Sequence, residues 1–105
     1  MIPKANVFRS KTYRHGARDQ SCLRCGIEDG TIVGCHYCGK YGDRLGRGAG
    51  MKASDVALAD LCARCHAHFD TYASGNDDAR AAEFLILIVR TVERRLAQGI
   101  LRCDA

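Results

Sequence analysis

The chain has 105 residues, with Lys+Arg 16 against Asp+Glu 12, seven cysteines, one proline and no tryptophan. A single small domain is expected, and its apolar residues, spread over many Ala and Cys, supply too little volume for a self-sufficient core, so a covalent or metal staple is implied. The longest run of large apolar residues, Phe84 to Val89, falls far short of the ~20 needed to cross a bilayer, and Met1 to Val7 lacks the apolar stretch of a signal peptide.

A soluble, cytoplasmic chain with no membrane partner is therefore expected. In a reducing compartment seven cysteines make a poor disulfide framework, and an odd count leaves one unpaired, so metal ligation is their leading use. Charge is unevenly placed. Residues 1–52 hold ten Lys/Arg and four acids, whereas the remainder holds six Arg and eight acids. Such an asymmetry suits a chain that lays its N-terminal half on a polyanion.

Residues 1–20 carry scattered apolar residues at no steady period among many basic ones, and read as an extended arm or a frayed short helix. Cys22-Leu23-Arg24-Cys25-Gly26 is a knuckle, in which the glycine lets the backbone turn its amides toward the sulfurs. Thr31-Ile32-Val33-Gly34-Cys35-His36 is β-branched and short, and is expected to be a strand that delivers His36 at its end. From Gly39 to Gly50, five glycines are interleaved with Lys40, Arg44 and Arg47 to make a basic loop. It lacks a P-loop signature.

Asp55 to Leu61 fits either a strand or a helical turn. It leads into a second knuckle, Cys62-Ala63-Arg64-Cys65-His66, and a helix expected to run to about Ser74, with Gly75 as its stop. Asn76 or Asp77 would cap a long helix to about Gln98, its N-terminal acids and C-terminal arginines complementing the helix dipole. Phe84, Leu85, Leu87, Ile88, Val92 and Leu96 make its core stripe, and Ile86 and Val89 widen it toward a partner such as a second copy.

The pairs Cys22/Cys25 and Cys62/Cys65, with 36 residues between them, can converge on one tetrahedral ion. Zinc is the natural occupant, since thiolates are soft ligands and the ion has no redox chemistry of its own. Cys35 and Cys38 form a third such pair that could replace Cys22/Cys25. The outer pairs are preferred for their knuckle form, and Cys103 is left unassigned. His66 and Asp70, four apart, share one helical face and so could share a cation.

The order of CxxC, strand ending in His36, Gly/Lys/Arg-rich loop, Lys52-Ala53-Ser54-Asp55 and Leu61-Cys62-Ala63-Arg64-Cys65-His66 resembles the zinc-ribbon branch of the HNH, or ββα-metal, nucleases. It is especially similar to small prophage-encoded putative nucleases of that class, over about residues 18–72. The resemblance implies a metal-dependent DNA endonuclease of low sequence specificity. In it His36 would be the general base, and His66 and Asp70 would hold a catalytic divalent cation (magnesium, manganese, nickel or zinc) at the scissile phosphate. Lys40, Arg44, Arg47 and Lys52 would hold flanking phosphates. Two positions depart from the family pattern. Cys35 stands where an Asp or His ligates the catalytic metal, which would shift preference toward zinc or nickel, and Asp55 is the nearest counterpart of the Asn that orients the base.

The expected fold is thus α+β, a small zinc-stapled domain with a ββα-metal core and a long C-terminal helix. Its parts are a basic N-terminal arm (1–20), the core (21–75) and a C-terminal helix packing on it (76–105). Two alternatives stay open. A non-catalytic zinc-ribbon nucleic-acid-binding module would use the cysteines and the charge without His36 or His66. A redox or adaptor role would use the extra CxxC or the long helix, but Cys35/Cys38 lacks the helix-opening context that lowers a redox thiol's pKa.

Overall fold

A computed structural model describes residues 6–48, 50–70 and 78–104. Its order is α1 (Lys11–His15), β1 (Val33–His36), a 3₁₀ turn at Gly42–Leu45, β2 (Leu58–Leu61), α2 (Ala63–Asp70) and α3 (Asp78–Ala97). The result is a small α+β fold around one two-stranded antiparallel sheet. Among the described residues no helix is long and apolar enough to cross a membrane. Residues Ser74 to Asp77, where the stop of one expected helix and the cap of the next would fall, lie outside the described residues.

β1 and β2 pair in the register Val33↔Leu61, Gly34↔Asp60, Cys35↔Ala59 and His36↔Leu58. The segment that fitted either strand or helix is thus a strand, and all four of its residues are buried. A lone two-stranded ribbon is marginal in water, so its cover supplies the stability. That cover is largely α3, which places Phe84 and Leu87 in a core with Tyr37, Leu61 and Phe69, while Ile86 and Val89 on its outer side stay 62% and 60% exposed. Phe84 packs edge-on against both Tyr37 and Phe69, the arrangement that ring quadrupoles favour.

Residues 6–20 do not stand off as an arm. Ser10 caps α1 by accepting the Tyr13 N–H, and Tyr13 and Ala17 are buried. The chain closes against β1 at Gly34, where an added Cβ would lie 3.2 Å from the Arg14 carbonyl oxygen and 3.1 Å from Leu58. α3 is fastened to both α1 and β2 by Arg95. Its guanidinium donates to both carboxylate oxygens of Asp60 (2.5 and 2.8 Å) and to the Tyr13 carbonyl (2.6 Å). Arg95 and Asp60 are both fully buried. Gly16 makes room for this contact, since a Cβ there would come within 2.5 Å of Arg95 Nε.

Candidate active site and metal centre

The two outer knuckles meet. The sulfurs of Cys22, Cys25, Cys62 and Cys65 lie within 4.8 Å of one another. A tetrahedral zinc with Zn–S near 2.3 Å has S–S edges of about 3.8 Å, and Cys25 Sγ stands 3.7 Å from Cys62 Sγ. The four cysteines therefore form a cluster that could hold a metal ion such as zinc. The local backbone suits this. Gly26 takes φ +81° after the first knuckle, the Gly26 N–H donates to the Cys22 carbonyl, and the Cys65 N–H points at Cys62 Sγ. The knuckle joins the sheet through the Leu23 N–H, which donates to the Asp60 carbonyl at 3.0 Å.

The thiols also behave as ligands in want of a cation. Burial works against a Cys22 thiolate, but backbone N–H groups of both knuckles outweigh it and hold this thiol down at about 6. Cys65 is pushed up to about 12, by burial first and by its three neighbouring thiols. Four sulfurs this close cannot all ionise unless a positive ion sits among them. Arg24 lies alongside, its guanidinium 3.6 Å from Cys65 Sγ and stacked on the Phe69 ring, and Glu83 of α3 anchors it.

His36 sits at the end of β1 with its side chain 14% exposed. Its Nε2 lies 2.7 Å from Asp55 Oδ1. Asp55 is only 1% exposed and is gripped from several sides: Arg14 Nη1 and the Ser10 N–H each donate to Oδ2 at 2.7 Å, and Arg9 Nη1 donates to Oδ1 at 3.2 Å. Burial alone would raise the Asp55 pKa. The hydrogen bonds from His36, Ser10 and Arg14 outweigh it and hold the carboxyl at about 2. An ionised carboxylate only accepts, so at this contact His36 donates through Nε2–H.

His36 opens onto a cleft of about 460 Å³ whose walls also include Cys38, Arg47, Lys52, His66 and Asp70. Six of the residues singled out in the sequence, Cys35, His36, Arg47, Lys52, His66 and Asp70, thus share one concavity, and Asp55 holds His36 from the other side. A second cleft of about 510 Å³, lined by Arg9, Arg14, Lys52 and Asp55, reaches His36 from the other side.

Three site expectations need correction or placement. Cys35 lines the same cleft as His36, His66 and Asp70. It is only 3% exposed there, its thiol directed at the Val33 carbonyl and pushed up to about 12 by burial. Among the described residues the four cysteines are the only convergent set of three or more metal-ligating side chains, so His66, Asp70 and Cys35 do not form another. Lys40 pairs with Asp78 at the start of α3, and Arg44 is exposed and lines neither cleft.

Cys38, read in the sequence only as half of a third CxxC, and two residues that no spacing argument reached, Arg9 and Arg14, also stand around His36. Cys38 lines the cleft beside Cys35, with Sγ 3.5 Å from Asp70 Oδ1; burial, then Asp70, raises its pKa. Arg9 and Arg14 arrive from the N-terminal segment, 46 and 41 positions from their shared partner Asp55. The local charge excess of residues 1–52 was their only signal. No family model, no curated protein and no solved structure matches this chain.

Proposed function

We propose that this protein is a metal-dependent endonuclease of the HNH type, hydrolysing DNA phosphodiester bonds with low sequence specificity on a ββα-metal core stapled by structural zinc. The observation that carries this reading is the His36–Asp55 pair, 2.7 Å apart, at the wall of a cleft shared with Arg47, Lys52, His66 and Asp70. Asp55 fixes the proton on Nε2, so Nδ1 is the atom that takes a proton from water. As the water oxygen bonds to phosphorus, its proton passes to His36 and the bond to the 3′ oxygen breaks. Asp55, ionised throughout the neutral range, then stabilises the imidazolium.

Arg47 and Lys52 supply positive charge on the same wall, where the flanking phosphates would lie. A divalent cation held by His66 and Asp70 (magnesium, manganese, nickel or zinc) would offset charge on the scissile phosphate and the leaving oxygen. Two thiols, Cys35 and Cys38, line the same cleft, which would favour zinc or nickel there. Zinc at Cys22, Cys25, Cys62 and Cys65 has the structural part, holding the base of α2 to the first knuckle.

The test is cleavage of supercoiled plasmid by chelated protein after single-metal addition, run beside His36→Ala. Wild type should nick with one of the four metals. The variant should keep its zinc and lose on the order of 10²-fold or more in rate. Equal rates would remove His36 as the base. If neither protein cuts while both bind DNA and retain one zinc, the domain is a non-catalytic nucleic-acid-binding ribbon.

A further inference from the structure

The N-terminal segment brings two arginines to the same carboxylate, and they are not equivalent. Arg9 is spent on the chain itself: Nη1 donates to the Ala53 carbonyl and Asp55, and Nη2 to the Lys52 carbonyl at 2.6 Å. Arg9 thereby shapes the Lys52–Asp55 turn. Arg14 uses only Nη1, on Asp55 Oδ2; its Nε and Nη2 have no protein acceptor among the described residues, and its side chain is 36% exposed.

Arg14 faces the second cleft, which shares His36, Gly50, Met51 and Lys52 with the first, so the two are contiguous across His36. Arg9, Arg14 and Lys52 are balanced there by one acid, Asp55, leaving a positive surface beside the imidazole. A planar guanidinium with one edge anchored and the other open is preorganised for a tetrahedral oxyanion. Asp55 also bridges Arg14 and His36, one on each oxygen, which fixes the guanidinium at a set distance from Nδ1.

We infer that Arg14 is a phosphodiester-binding residue on the Asp55 side of His36, so that a nucleic-acid backbone crosses the molecule from the Arg47 cleft, over His36, to the Arg14 cleft. The inference deepens the nuclease reading, on which it rests for the identity of the ligand. Lys52, common to both clefts, lies along the same path.

The test is binding rather than cleavage. A fluorescent single-stranded oligonucleotide is titrated into zinc-loaded His36→Ala protein, with and without Arg14→Gln, over a series of salt concentrations. Removing one phosphate contact should lower affinity about tenfold and reduce the slope of log K against log salt by about 0.7–0.9. Arg14→Lys should restore the slope but not all of the affinity, because a point charge cannot make the paired contact. As a second readout on the unaltered protein, the oligonucleotide should protect Arg14 from phenylglyoxal, read by peptide mass, and leave the exposed Arg64 of α2 reactive. This readout decides if Arg14→Gln fails to fold.

An unchanged slope, or an Arg14 equally reactive with and without oligonucleotide, overturns the inference, as does a parent protein that binds no oligonucleotide. The two readings fail separately. Wild type that never cuts but shows the Arg14-dependent slope loses the nuclease and keeps the subsite; wild type that cuts with an Arg14-independent slope does the reverse.

Discussion

Asp55 and Asp60 lie five residues apart, are 1% and 0% exposed, and each holds two arginines, yet they do different work. Around Asp60 the partners are interior: Arg95 is fully buried, and Arg94 is 15% exposed. Around Asp55 the arginines are 41% and 36% exposed, and the third partner is a histidine that lines a cleft. Permanent charges locked in the interior can only hold elements together. A carboxylate whose partners include a titratable ring and solvent-reaching guanidinia can hold a proton acceptor in place and let a ligand approach.

The largest effect that would test this contrast is Asp60→Ala. Arg95 would be left buried without its counter-ion, at a cost of about 3–5 kcal/mol, seen in thermal melts as a fall on the order of 15 °C. Asp55→Asn should separate the two roles. Its arginines can turn to water, so stability should fall by only about 1–2 kcal/mol, while cleavage should fall on the order of 10²-fold because His36 loses its orienting acceptor. Equal loss of stability in the two variants would erase the distinction.

The smallest effect is in acid. The Asp55 pKa is about 2 in the folded chain against an ordinary 3.8. A carboxyl depressed on folding contributes stability that is complete above its unfolded value and is lost as pH falls through its folded value. The stability of wild type relative to Asp55→Asn should therefore shrink by roughly 2 kcal/mol between about pH 4 and pH 2. Taking the difference between the two proteins cancels thiol protonation, which is common to both. A constant difference across that window would mean the carboxylate is not held as described.

What could be read in advance follows the range of each interaction. The knuckles are local, two residues and a glycine turn, so Cys22/Cys25 and Cys62/Cys65 are legible from spacing. The pairing of His36 with Asp55 spans 19 positions and was reachable only through the resemblance. The grip of Arg9, Ser10 and Arg14 on Asp55 spans 41 to 46 positions and leaves no periodic trace, so residues 1–20 read as an extended arm or a frayed short helix, of which the short helix is present as α1. Asp60–Arg95, 35 apart, was equally hidden, since arginines in the last turn of a helix have a sufficient local explanation in the dipole. Cys35 lines the cleft as expected, but at only 3% exposure. Strand alternation turns neighbouring side chains of β1 to opposite faces, yet it does not by itself tell how deeply the Cys35 thiol is buried.

That alternation gives the antiparallel pairing a further consequence. A slip of one position between β1 and β2 would exchange the faces of every residue in the shifted strand, turning the imidazole inward and the Cys35 thiol outward. Four-residue strands with a glycine among them have little of their own to prevent it. The last two residues of β2 are the guards: Asp60 is pinned by Arg95, and Leu61 runs directly into Cys62 of the thiol cluster. An ion bound there would act as an alignment pin for a histidine it never touches. A chelated chain that keeps its helices would then present a thiol where the imidazole now stands.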